Sequence, residues 1–165
     1  MNVENVVNYE NEIAMYPDIM ESIKFYMDLF GYECKVFETW HEFKPELRER
    51  FQREIDILGD FGKPDITVLY RKSSDEDYKV LIIEAKLNSV VMKDIAQAKM
   101  YGDIFKADKV FLVAPYELRR MIEQYYYVNK NIFRYDGDKE IKYVRLSDRN
   151  LLIQQSIPSG GELFW

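Results

Sequence analysis

Two stretches decide how this chain reads: GKPDITVLY at residues 62–70 and VLIIEAKL at residues 80–87. Each is an apolar run of the kind that makes a buried strand, and the short polar turn KSSDED (72–77) sets the two beside each other as an antiparallel pair. Yet the first carries Asp65 at its opening, and the second carries Glu84 and Lys86 near its end. Side chains two apart on a strand share a face, so Glu84 and Lys86 point the same way, and the antiparallel partner brings Asp65 alongside Glu84. Three charges then converge at one edge of a sheet, where each buried ion is costly to desolvate unless something compensates it. A divalent cation between Asp65 and Glu84 removes the carboxylate repulsion. Lys86 beside it can hold or deprotonate an attacking water, and that set of parts suits phosphodiester hydrolysis. The plainer reading of the same residues makes Asp65 a strand-start cap and Glu84–Lys86 an edge ion pair.

Outward from this pair, hydrophobic periodicity places the other elements. Residues 11–30 read as a helix with Tyr16, Ile19, Ile23, Met27 and Phe30 on one stripe, Pro17 marking a turn, kink or true start, and Gly31 as a stop. ECKVFET (33–39) alternates like a half-buried strand, and residues 45–58 suggest a helix with Leu47, Phe51, Ile55 and Leu58 on one side. Strands follow at 66–70 and 79–85, then a helix over 90–105 with Val91, Ile95, Ala98 and Phe105 on one face. KVFLVAP (109–115) is continuously apolar, which implies burial on both faces. Glu117 to Val128 reads as a helix and residues 131–146 as a hairpin turning at Asp136–Gly137. The order is that of an α/β domain with a central mixed sheet flanked by helices.

Length and composition fit one domain: 165 residues, 47% apolar and 32% charged, with no repeat and no Pro/Gly/Ser linker. No apolar run approaches the roughly 20 residues of a membrane span and the N-terminal stretch is acidic, so the expectation is no membrane association and an intracellular, cytoplasmic protein. A single cysteine, Cys34, excludes an internal disulfide, a zinc ribbon and a cysteine-ligated iron–sulfur cluster. The net charge of −6 argues against a polyanion partner, but residues 1–60 hold 14 acids against 6 bases and the remainder 15 against 17. The second part is neutral enough to touch phosphate locally.

Two further features bear on the charged trio. Glu12 falls on the Tyr16–Ile19–Ile23 stripe of the helical wheel, so a carboxylate occupies the end of a core-facing row; a first-turn glutamate answering the helix dipole would look the same. Gln97 and Tyr101, one turn apart on the next helix, flank its apolar face together with Lys93. An amide and a phenol there could contact a phosphate or orient the lysine; a boundary tyrosine beside a solvated glutamine is the structural alternative.

Glu12, Pro64-Asp65, Glu84-Ala85-Lys86 and Gln97-Ala98-Lys99-Met100-Tyr101 together resemble the PD-(D/E)xK nuclease superfamily, and the last looks like the Gln-x-x-x-Tyr signature of its RecB-like branch. The resemblance implies a restriction-endonuclease-like fold with an α-β-β-β-α-β core over about residues 10–115, residues 40–62 as an insertion, and residues 116–165 as a C-terminal helix and hairpin extension of a single domain over 1–165. It implies a metal-dependent nuclease acting on DNA. Asp65, Glu84, the Ala85 backbone carbonyl and Glu12 would hold Mg²⁺ or Mn²⁺, Lys86 would position and activate water, and Gln97 and Tyr101 would orient the phosphate or the site. Lys93, Lys99, Lys106, Arg119 and Arg120 are the candidate phosphate contacts. Arg48, Arg50 and Arg53 read instead as a solvated face, because Glu46 and Glu49 precede Arg50 and Arg53 by four residues.

The chain departs from that branch's CRISPR-associated exonucleases in having no cysteines for an iron–sulfur cluster. No helicase motif is present, so any ATP-driven partner would be a separate chain. Small stand-alone members resolve Holliday junctions as dimers, which makes a homodimeric resolvase one alternative. A non-catalytic nucleic-acid-binding or interaction domain of the same fold is the other.

Overall fold

The computed structural model describes residues 8–148 and 151–154. A 3-10 turn, Ile13–Met15, leads into α1 (Tyr16–Leu29), followed by β1 (Glu33–Glu38), α2 (Pro45–Leu58), β2 (Ile66–Arg71), β3 (Lys79–Ala85), α3 (Met92–Phe105), β4 (Lys109–Ala114), α4 (Arg120–Val128) and a second 3-10 segment, Lys130–Phe133. Two short strands, β5 (Arg134–Tyr135) and β6 (Lys139–Glu140), precede β7 (Lys142–Asp148) and β8 (Leu151–Gln154). The main sheet has the order β1-β2-β3-β4-β7-β8. β2 runs antiparallel to both neighbours, β3, β4 and β7 run parallel, and β8 returns antiparallel. The chain is therefore α/β, with a mixed sheet flanked by helices.

Strand alternation divides the core in two. Ile66, Val68, Leu81, Ile83, Phe111 and Val113 face α1 and the turn before it, where Met15, Ile19, Ile23 and Met27 are fully buried. Leu69, Val80, Ile82, Val110 and Leu112 face the opposite way, onto α2, α3 and α4. Burying each such aliphatic side chain is worth about 1.5–3 kcal/mol, so both faces contribute to the fold.

The two-residue period of β2 and β3 is what forces Asp65 and Glu84 to the end of the sheet. The same alternation that buries Ile82 sends Glu84 to the α3 side.

Two expectations need correcting, and a third segment takes a definite place. Residues 40–62, expected as an insertion, pack onto the α3 side of the sheet: Leu47, Phe51 and Leu58 of α2 are buried, and the Phe51 ring meets Phe105 of α3 edge-on at 5.3 Å. Pro45 starts this helix and Gly59, at φ +52°, ends it, while Phe51 interrupts its regular dihedrals. The expected hairpin at 131–146 keeps its turn, with Asp136 and Gly137 both at positive φ, but its strands are two residues long. Residues from Lys142 leave it to pair in parallel with β4, and Tyr143 and Val144 are fully buried there. Glu46, finally, is taken by Lys35 and Arg50 reaches the Tyr78 carbonyl, so the pairing expected between those two side chains is not made.

Candidate active site

Ile66 pairs with Ile83, so the register carried one step further sets Asp65 next to Glu84. The Asp65 amide donates to Glu84 Oε1 at 3.2 Å, and Asp65 Oδ2 accepts from the Ala85 amide at 2.8 Å. Lys86 Nζ lies 3.7 Å from Glu84 Oε2, and its backbone amide donates to the Val113 carbonyl at 2.8 Å, which ties the end of β3 to β4. On the other side, the chain leaving β1 fastens the Pro64-Asp65 segment. The Thr39 amide donates to the Asp65 carbonyl at 2.8 Å, and Thr39 Oγ1 donates to the Pro64 carbonyl at 2.6 Å. The three charged groups thus meet at one point on a rigid frame.

α1 supplies a fourth partner that sequence reading had assigned only to packing. Tyr16 Oη donates to Asp65 Oδ1 at 2.6 Å, so both oxygens of this carboxylate are engaged. Glu12 also arrives, but from the turn before α1 and not from the helix stripe, because the regular helix begins at Tyr16. Its Oε2 accepts from the Leu87 amide at 3.3 Å, one residue past Lys86.

On the α3 side Tyr101 is fully buried, not on an open flank, and Val91 is exposed. Gln97 Nε2 donates to Tyr101 Oη at 3.2 Å. The phenol abuts Gly62, three residues before Asp65: a Cβ there would stand 2.8 Å from Tyr101 Oη, and Gly62 has φ +145°. Tyr101 is in this way a backstop for the loop that carries Asp65, and it offers no surface to a phosphate. Gly62 was not singled out in the sequence; its place two residues before Pro64-Asp65 is the signal that could have found it.

The basic candidates do not form one face. Lys93 is exposed and lies about 40° from Gln97 on the wheel of α3, whereas Lys99 lies about 160° away. Lys99 lines a separate groove with Asp103 and Asp136. Lys106 ends α3 in a left-handed conformation, and Arg119 and Arg120 open α4, all three exposed.

Electrostatically the acid pair is under stress. Glu84 is 1% exposed and Asp65 9%. Burial, then the charge of Asp65, holds Glu84 well above the usual carboxylate range, against the pull of Lys86. Burial likewise raises Asp65, although the Tyr16 hydroxyl and the Ala85 amide pull it down. Desolvation works to neutralise Lys86, but Glu84, Glu12 and Asp65 outweigh it and hold its ammonium above the ordinary value. Burial and the charge of Glu84 push Tyr101 up to about 12. One ammonium thus stands beside carboxyl groups whose ionised forms the fold disfavours.

No group of three or more His, Cys, Asp or Glu side chains among the described residues is arranged to hold a metal ion. The donor chemistry nonetheless fits a hard divalent cation: two nearly buried carboxylates in contact through backbone amides, with Glu12 close behind, whose ionisation a bound cation would favour.

Beside the pair opens a groove of about 610 Å³ lined in part by Glu10, Glu12, Tyr16, Trp40, Lys63 and Asp65. The Trp40 amide donates to the Asp65 carbonyl at 3.2 Å, so the backbone that carries this exposed indole is tied to the site. His41 Nε2 lies 3.7 Å from Glu42 Oε1, and its ring stands beside that of Trp40. Cys34 is half-buried in β1, and burial pushes its thiol up.

No protein-family model matches the chain, and no solved structure matches it. A stretch of 86 residues, 51% of the chain, is similar at 29% identity to an Aurora kinase of Saccharomyces cerevisiae (strain ATCC 204508 / S288c), of which it covers 23%. The chain thus spans less than a quarter of that relative's length.

Proposed function

We propose that this chain is a divalent-cation-dependent nuclease of restriction-endonuclease-like fold that hydrolyses phosphodiester bonds of DNA. The observation that carries the reading is the meeting of Asp65, Glu84 and Lys86 at the end of β2 and β3, with both carboxylates nearly buried and held above their ordinary range. A fold maintains such an arrangement at a loss of stability, which is what functional carboxylate sites do.

Asp65, Glu84 and the Ala85 carbonyl, with Glu12, are the oxygens that would hold Mg²⁺ or Mn²⁺. When bound, the ion supplies Lewis-acid polarisation of the phosphate and neutralises the acid pair. The protein's own part follows from the geometry. Lys86 is an ammonium at neutral pH, so it acts as a donor that orients the attacking water and stabilises charge growing on the phosphate oxygens. Tyr16 fixes the orientation of the Asp65 carboxylate. Thr39 holds the Pro64-Asp65 backbone, while Tyr101, braced by Gln97, backs the loop at Gly62. Gln97 and Tyr101 are positioning residues in this account.

The kinase likeness offers a weaker alternative. Asp60-Phe61-Gly62 matches the metal-binding triplet of protein kinases, but within this chain the single histidine is followed by Glu42 and no G-x-G-x-x-G occurs.

The test is cleavage of supercoiled plasmid, single-stranded DNA, linear duplex and a four-way junction in Mg²⁺, Mn²⁺ and chelator. Metal-dependent cleavage that Asp65→Ala, Glu84→Ala and Lys86→Ala each abolish, with folding retained, supports the reading. Cleavage surviving Glu84→Ala and Lys86→Ala rejects it.

A further inference from the structure

The groove beside the acid pair is poorly built for gripping a polyanion by charge. Among the described residues lining it, Glu10, Glu12 and Asp65 face one cation, Lys63. Nucleic-acid binding without sequence preference ordinarily draws on Lys and Arg neutralising phosphates, and one lysine beside three carboxylates cannot supply that. What the groove does offer is an indole. Trp40 is 40% exposed, a large apolar ring left in water at the edge of a charged site.

Its position is not accidental to the fold. Thr39 and Trp40 both donate their amides to the Asp65 carbonyl, at 2.8 and 3.2 Å. The Trp40 backbone therefore moves with the carboxylate that would hold the cation. Behind it the His41 ring lies 4.7 Å away, centroid to centroid, at a tilt of 54°, which limits the indole's freedom on that side. The groove's other large exposed apolar side chain is Ile13, 43% exposed. Stacking a base on a flat aromatic face is a sequence-tolerant contact that proteins use on single strands beside their phosphate contacts.

Resting on the nuclease reading above, we propose that Trp40 stacks a base of the strand being cut, and that the substrate class is DNA with an unpaired nucleotide at the scissile position: a single strand, a flap or a frayed end. A base within continuous duplex already stacks on both faces and has none to give to an indole. The preference comes from binding, so Trp40 is a specificity-determining residue and not part of the hydrolytic machinery.

The experiment has a binding arm and a cleavage arm. Trp40 and Trp165 are the chain's two tryptophans, so a Trp165→Phe background reports Trp40 alone. With Ca²⁺ replacing Mg²⁺, oligodeoxythymidylate should quench that fluorescence saturably. Trp40→Ala should weaken its binding by about tenfold or more, Trp40→Phe should restore most of it, and blunt duplex of equal length should bind within about twofold of wild type throughout. In Mg²⁺, Trp40→Ala should raise KM for single-stranded DNA while kcat stays within about threefold, again with rescue by Trp40→Phe. Absence of quenching on binding, or equal losses for duplex and single strand, overturns the proposal. If Glu84→Ala abolishes cleavage while Trp40→Ala leaves the substrate preference intact, the stacking inference falls and the nuclease reading stands. If no DNA is cut, the nuclease reading falls and the quenching arm alone decides whether Trp40 stacks a base.

Discussion

β2 and β3 carry charges at both ends, and the two ends treat them in opposite ways. At the turn end, Arg71 grips Glu33 through Nε at 3.0 Å and Nη2 at 3.2 Å, Tyr78 Oη donates to Glu33 Oε1 at 2.6 Å, and the Arg71 guanidinium lies 4.2 Å from the Tyr78 ring centre. Bonds from Arg71 and Tyr78 hold Glu33 below the usual carboxylate range. At the other end, Asp65 and Glu84 are held above that range by burial, and Lys86 offsets them only in part. The turn end thus stabilises the ionised form of Glu33, which β1 presents to it in solvent, whereas the other end penalises the ionised forms of its buried carboxylates. The exposed end shows what this sequence does when charge serves solubility and edge protection. The buried end departs from that pattern in the way a site kept for a ligand departs.

The contrast can be broken most forcefully through activity. On the nuclease reading, Glu84→Ala and Lys86→Ala each lower cleavage by at least about a hundredfold, whereas Glu33→Ala leaves it unchanged. Substrate-cleavage kinetics on the three variants side by side decide this.

Stability provides the next largest effect, with opposite sign at the two ends. Glu84 binds its proton more tightly in the fold than in the unfolded chain, so between its ordinary value and its raised one the folded state holds more protons. The metal-free protein must then lose stability as pH rises from about 4.5 through the raised value, and regain it on acidification. Glu84→Gln, which still accepts from the Asp65 amide, should flatten that slope and stabilise the metal-free protein near neutrality by on the order of 1–3 kcal/mol. Urea denaturation at a series of pH values reads both.

A smaller loss is expected behind the site. Gly62→Ala places a methyl against the Tyr101 hydroxyl at a positive φ and should destabilise by about 1–2 kcal/mol. The pair Gly62→Ala with Tyr101→Phe should fall short of the sum of the singles, because removing the hydroxyl relieves the crowding. The smallest change belongs to Arg71→Ala, a slight drop in Tm that disappears in high salt, as befits an exposed pair.

Much of this was legible in the sequence, for local reasons. The KSSDED turn and the two apolar runs it joins fix the β2–β3 register, and that register alone brings Asp65 to Glu84. The apolar stripe of Leu47, Phe51, Ile55 and Leu58 marks α2 over the span it takes in the fold, Pro45–Leu58. What escaped was decided by distant contacts. A helical wheel reads Tyr16 as core and cannot know that its hydroxyl meets a strand end 49 residues away. Tyr101 looks like a boundary residue until the Gly62 loop covers it. β7 resembles half of a hairpin because parallel pairing with β4 leaves no mark in its neighbours. Trp40 carried no pattern at all; only its bond to the Asp65 carbonyl gives it a role.

The most direct measurement is thermal denaturation with and without Mn²⁺, from about pH 5 to about pH 8, on wild type and Glu84→Gln. The account predicts a Mn²⁺-induced rise in Tm that grows with pH as the acid pair ionises, and that Glu84→Gln largely abolishes. An equal rise in both proteins, or none in either across that range, would contradict a cation site between Asp65 and Glu84.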